Sequence, residues 1–190
     1  MKTVSARSDQ GIPGVYGLLL LDVVSRWGYN AETVFAPFNL TSEQLADPEC
    51  RISTPVANEL IKHALKLTGE STLGYHLGTQ MRISIHGFIG YAIMTAGDIT
   101  DALVLANRFI QLRMPFLQLY FSTFGEKATL QLQCDIEIQP LRNEIIMALT
   151  FGIITMAKAL TGTDELHADI DFDFPMPADF DKYHERFQNQ

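Results

Sequence analysis

At Pro115 the spacing of apolar residues changes from the 3.6-residue period of a helix to the two-residue period of a half-buried strand, so this chain must combine both kinds of element. Ahead of the change, Asp98 followed by Asp101 resembles a capping box with Asp in place of the usual Glu, and Ala102, Leu105, Ala106, Phe109 and Leu112 follow at helical spacing. Behind it, Leu117, Leu119 and Phe121 alternate with Gln118, Tyr120 and Ser122. Gly125, Glu126 and Lys127 supply a turn, and Leu130, Leu132, Cys134 and Ile136 then alternate with Gln131, Gln133, Asp135 and Glu137. The two runs, 115–124 and 128–138, are predicted to pair as a hairpin.

One face of such a hairpin is apolar and needs a cover. A long helix from Leu141 to Leu160, with Ile145, Leu149, Ile153, Met156 and Leu160 on one stripe and Gly162 past its end, is the expected one. Residues 168–174 alternate Ile170, Phe172 and Phe174 with Asp169, Asp171 and Asp173, which predicts a third strand. Upstream, Pro13 fits the first turn of a helix running through Leu18, Leu21 and Trp27 to Gly28. A second helix is expected from Thr54, with Pro55 just inside its start, to Gly69, and shorter ones at about 71–80 and 87–96. Several helices, a hairpin, a long helix and a strand predict an α+β fold in which helices pack on a small antiparallel sheet. No repeat, low-complexity run or internal linker divides the chain, so residues 1–190 are expected to form a single domain, with 1–10 flexible and 175–190 leading onward.

At 190 residues, with 47% hydrophobic and 19% charged side chains, the chain can bury one sizeable core. Its formal charge of −8 repels a phosphate backbone, and Lys and Arg are nowhere concentrated, so nucleic-acid binding by this segment itself is not expected. Cys50 and Cys134 lie far apart with no partner at metal spacing, which suits a reducing compartment and places the protein in the cytoplasm. The apolar run Val15 to Val24 is too short to span a bilayer and is interrupted by Asp22, and no cleavage site follows it, so neither a membrane partner nor export is expected.

The chemistry-bearing residues are few. Asp169, Asp171 and Asp173 read as the solvent face of a strand in preference to a metal loop. His63, His76, His86, His167 and His184 include no HxxxH or HExxH pair, and neither a zinc site nor another cofactor is expected. No Gly-x-Ser-x-Gly elbow or glycine-rich phosphate loop is present, and the chain does not read as an enzyme. His86 immediately precedes Gly87 and Gly90, where missing side chains let a backbone or a ligand approach closely. It is either a capping or core histidine or a donor in a pocket, with axial haem ligation a more distant option. Arg108 and Arg113 flank the end of the helix that starts at Asp98, and Tyr120 lies on the next strand. In one reading these residues, with Tyr91, Met94, Phe109 and Phe116 as apolar walls, line a pocket in which an arginine clamps a carboxylate. In the other the arginines are surface residues at the negative end of a helix and the aromatics are plain core.

Several pieces occur in a telling order: Trp27-Gly28 after a Leu-rich helix, Leu45-Ala46-Asp47-Pro48, Leu73-Gly74 with Leu77-Gly78, and His86-Gly87 with Gly90. Asp101-Ala102-Leu103, Asn107-Arg108-Phe109, Leu160-Thr161-Gly162, and Phe174-Pro175 with Pro177, Tyr183 and Phe187 follow. Together they resemble, over nearly the whole chain, the N-terminal effector-binding domain of AraC/XylS-type transcription regulators, the arabinose-binding-domain-like kind. That resemblance implies a bacterial sensor of a small organic effector, such as an amino acid or a fatty or aromatic acid, and a homodimer. It also implies that DNA is contacted only through a C-terminal pair of helix-turn-helix motifs, which this sequence, ending at Gln190, is expected to lack. The competing class is a stand-alone protein of similar fold that carries a small molecule, a lipid or a haem, or serves as a scaffold.

Overall fold

The computed structural model describes residues 11–183 except 126, 164, 165, 167, 178, 179 and 181, and for Ile89 and Phe109 it describes the backbone alone. The flexible segment expected at 1–10, together with His167, His184 and Phe187, lies outside the described residues. The order of elements is β1 (Ile12–Pro13), α1 (Val15–Val24), α2 (Ala31–Phe35), α3 (Ser42–Ala46), β2 (Arg51–Ile52), α4 (Thr54–Thr68), α5 (Leu73–Thr79), α6 (Phe88–Met94), α7 (Ile99–Arg113), β3 (Leu117–Phe124), β4 (Lys127–Cys134) and α8 (Leu141–Thr161). The fold is mixed α+β, with two separate two-stranded antiparallel sheets among the described residues.

Local chemistry explains most of the boundaries. Asp98 caps α7 by accepting the Asp101 N–H at 2.8 Å. Thr41 and Gln44 form a reciprocal capping box at the start of α3, each side chain bonded to the other's backbone N–H. Helix α4 carries Pro55 in its first turn and closes on Gly69 at φ 65°, and α8 closes on Gly162 in the same left-handed form. The hairpin pairs Leu117 with Cys134 and Phe124 with Lys127, and Leu117, Leu119 and Cys134 are buried as the alternation predicts.

Two expectations are corrected. Pro13 does not open the first helix; it stands in β1, opposite Arg51 of β2, and α1 begins at Val15. Proline has no N–H to give a ladder, but a two-residue edge asks little of it, and the next residue, Gly14, donates to the Cys50 carbonyl at 2.9 Å. The third strand at 168–174 is absent. Ile170, Phe172 and Phe174 are half-buried while Asp169, Asp171 and Asp173 are exposed, so the sidedness is as predicted, yet the segment has no ladder partner among the described residues. It lies instead against the Tyr75–Phe151–Phe180 cluster, and the Arg142 guanidinium on α8 grips both carboxylate oxygens of Asp173. A period of two reports which side chains are buried and leaves open whether a strand edge is available to pair with.

The main core is built by α1, α4 and α8 with the hairpin, around side chains such as Leu20, Val23, Leu45, Leu60, Phe116, Leu117 and Leu141. Helix α8 is long and apolar enough to cross a membrane by length and composition, and in this fold it packs along α5 and also touches α4 and β4. The approach of α5 to α8 is very close. A Cβ at Gly74 would lie 2.7 Å from the Glu144 carbonyl oxygen, and one at Gly78 would lie 2.7 Å from both the Ala148 carbonyl oxygen and Phe151 Cβ. Neither neighbour is a flexible side-chain end that can yield.

Gly78→Ala is therefore expected to lower unfolding stability by about 1–3 kcal/mol, the usual range for an overpacked site. Gly97→Ala, where a Cβ would meet nothing closer than Asp101 Oδ2 at 3.7 Å, should stay within about 0.5 kcal/mol of the parent. Urea denaturation of the two variants checks the contrast.

Candidate functional site

A cavity of about 90 Å³ opens where α1, α4 and α8 meet, walled by Leu19, Leu20, Leu60, Ile61, Ala148 and Leu149, with Leu77 of α5 and Met114 at its sides. Among its lining residues only Tyr16 and Glu144 bring polar side-chain groups. Mostly apolar walls with a few fixed polar groups are the ordinary character of a small-molecule site.

Tyr16 connects the cavity to a polar cluster. Its hydroxyl lies 3.0 Å from His86 Nδ1. The Arg113 guanidinium donates to the His86 carbonyl oxygen at 3.0 Å, and the Arg51 guanidinium donates to the Arg113 carbonyl oxygen at 2.6 Å. His86 ends a short 3-10 turn, Ile83–His86, that leads through Gly87 at φ 61° into α6. The turn folds back so tightly that a Cβ at Gly90 would lie 2.0 Å from the Ile83 carbonyl oxygen. At Gly90 the close approach is thus one of backbone to backbone, within the turn that carries His86.

Burial sets the charge state of the cluster. It holds the Tyr16 phenol up at about 12, against the pull of Arg113 and Arg51. It pushes His86 down to about 4, with Arg113 adding in the same direction. Near neutral pH both side chains are uncharged, and with the phenol donating to Nδ1 the hydrogen of the imidazole sits on Nε2. That Nε2 is buried and has no partner among the described residues. On the opposite wall, Glu144 is pushed up to about 7 by burial, against the Gly74 N–H that bonds to its Oε2, while nearby Glu70 raises it further. Its carboxyl also caps the first turn of α5.

Of the residues singled out from sequence, the structure brings His86 and Arg113 together beside the cavity. Phe116 is fully buried in the core. Tyr91 and Met94 point outward from α6 at 59% and 55% exposure, and Arg108 is exposed on α7. Tyr120 is half exposed on β3, where its hydroxyl donates to Gln118. Phe109 lies on α7, and its side chain is outside what is described. Tyr16, Arg51 and Glu144 went unnoticed in the sequence. The available signals were one hydroxyl in the Leu-rich α1 and one acid in the apolar α8.

Residues 28–190 match the family model described as the arabinose-binding domain of AraC transcription regulator, N-term. The chain belongs to that family. The ornithine utilization regulator of Pseudomonas aeruginosa is 27% identical to it over 179 residues, which cover 93% of this chain and 52% of that protein. The chain thus spans about half the length of this curated relative. The AraC arabinose-binding family is one of effector-binding domains and is not enzymatic, in agreement with the absence of catalytic motifs noted in the sequence.

Buried His86 and Glu144 make opposite contributions to stability against pH. His86 titrates at about 4 in the fold against 6.5 ordinarily, so its contribution is lost as pH falls from 6.5 through 4. Glu144 titrates at about 7 against 4.5, so its contribution is complete below 4.5 and lost as pH rises through 7. The two oppose each other between those limits. His86→Gln should therefore gain more stability than the parent when pH is lowered from about 7 to about 5. Thermal unfolding at both pH values measures this, and parallel slopes for the two proteins would contradict the assignment.

Proposed function

We propose that this AraC-family domain senses a small organic effector whose apolar body enters the cavity between α1, α4 and α8. The observation that carries the proposal is the apolar cavity itself, with the Tyr16–His86–Arg113 cluster at its margin. Occupancy would act on a DNA-binding part of the regulator by shifting a conformational equilibrium. A route for the signal is supported by the packing. Leu77 of α5 and Ala148 of α8 line the cavity, while Tyr75 and His76 of α5 meet Tyr183 near the C-terminal end of the described chain. Tyr183 also donates its hydroxyl to Glu70 at 3.0 Å.

In this proposal residues 1–190 act as one sensing domain, and DNA is read by helix-turn-helix motifs in the part of the regulator that this chain does not span. The acidic charge and the two free cysteines support a cytoplasmic sensor that does not itself grip DNA. A homodimer is also proposed. Phe88 and Met94 on α6 and Val104 and Leu112 on α7 are large exposed apolar side chains on neighbouring helices, and they support pairing through this side. Leu112→Asp should shift the purified chain from dimer to monomer in sedimentation velocity; a chain that is monomeric before substitution would refute the pairing.

A thermal-shift screen of amino acids, fatty acids and aromatic acids tests the cavity. One class should raise the melting point by several degrees, since ligand at a hundred times its Kd contributes about 2.7 kcal/mol. Ala148→Leu, which fills part of the cavity, should abolish that shift and leave the ligand-free melting point within a few degrees. An undiminished shift in Ala148→Leu would place the effector elsewhere.

A further inference from the structure

Among the residues that line the cavity, Glu144 holds the lone carboxyl, and it is only 6% exposed. Its Oε2 accepts the Gly74 N–H of α5, which fixes the carboxyl in place. Its Oε1 makes no hydrogen bond among the described residues, and no Lys, Arg or His there forms an ion pair with it. The remaining polar side chain of the lining, Tyr16, gives its hydroxyl hydrogen to His86 Nδ1, so its oxygen can only accept from any further partner. When Glu144 is ionised, the side chains of the cavity therefore offer acceptors and no free donor. Burial and the nearby Glu70 both press Glu144 toward its neutral form, and it titrates at about 7. A buried carboxylate without a cation is costly, and a cationic donor arriving from solvent offsets that cost.

We propose that Glu144 is the specificity-determining residue of the cavity and that it recognises a primary ammonium group carried on a short apolar chain. This rests on the cavity being the effector site. An ammonium brings three donors and a positive charge to a carboxyl that has one oxygen unbonded. A carboxylate in the same place would meet Glu144 as a like charge and find no free side-chain donor in the lining. An alcohol can donate to Oε1 but cannot neutralise the carboxylate. The chain is short, because a cavity of about 90 Å³ is smaller than the roughly 150 Å³ that holds a benzene ring. In the thermal-shift screen this singles out compounds that bear an amine.

Calorimetric titration of the 190-residue chain with n-butylamine, 1-butanol and sodium butyrate tests this at a pH of about 8, where Glu144 is mostly ionised and the amine is still protonated. Butylamine should bind at least about tenfold more tightly than butanol, the gain from hydrogen bonding to a charged group, and butyrate should bind more weakly than butanol. Glu144→Gln keeps an oxygen for the Gly74 N–H and removes the charge. It should weaken butylamine by about tenfold or more and leave butanol within about twofold. Ala148→Leu, which narrows the same cavity, should weaken both ligands. The selectivity of the parent chain decides the matter even if Glu144→Gln fails to fold. Butanol or butyrate binding as tightly as butylamine, or a butylamine preference that survives Glu144→Gln, refutes recognition by Glu144 while the cavity stands. Butylamine affinity undiminished in Ala148→Leu would place the amine on the acidic surface and refutes it as well. If none of the three binds, the cavity as effector site fails and the proposal with it.

Discussion

Helices α5 and α8 approach until a methyl group at Gly74 or Gly78 would overlap a backbone carbonyl oxygen of the other helix. Much of the remaining structure depends on that contact. It brings the Glu144 carboxyl onto the first turn of α5 and sets Leu77 opposite Ala148 on the cavity wall. It also places Tyr75 against Phe151, the pair on which Phe180 and the extended segment after α8 pack. The cavity and the C-terminal segment thus pack on the same pair of helices.

The polar cluster beside the cavity shows how burial changes the charge state of ordinary residues. In water Tyr16 and His86 would be unremarkable donors and acceptors. Inside the fold both are held neutral, their mutual bond fixes the imidazole, and the two arginines remain the charged groups at that margin. The turn that carries His86 has no room for a side chain at Gly90, so the position of the imidazole follows from backbone geometry as much as from its own contacts.

What was legible along the chain was local. The Asp98 cap, the glycine ends of α4 and α8 and the 117–134 hairpin each depend on neighbours within a few residues, and each was readable from spacing and turn chemistry. The third strand failed for a reason of the same kind: Ile170, Phe172 and Phe174 alternate with aspartates because one side of the segment is buried, and burial against helices produces the same pattern as burial in a sheet. Of the residues that local signals singled out, His86, marked by its glycines, and Arg113, marked by its place at the end of α7, lie together next to Tyr16. Arg108, Tyr91, Met94 and Tyr120 share similar local surroundings yet face outward.

The amino-acid order by itself determined the longer helices, the hairpin, the acidic and motif-poor composition and the small-residue positions on α5, since these follow from period, capping, charge and side-chain size. The tertiary structure alone decided that Tyr16, Arg51, His86 and Arg113 converge, because nearly a hundred residues separate the first from the last and nothing in spacing along the chain encodes that meeting. It also decided that the cavity lies between α1, α4 and α8. A cavity is a property of how packed surfaces fail to fill space, and one sequence read alone shows which surfaces are apolar but not where they leave a gap.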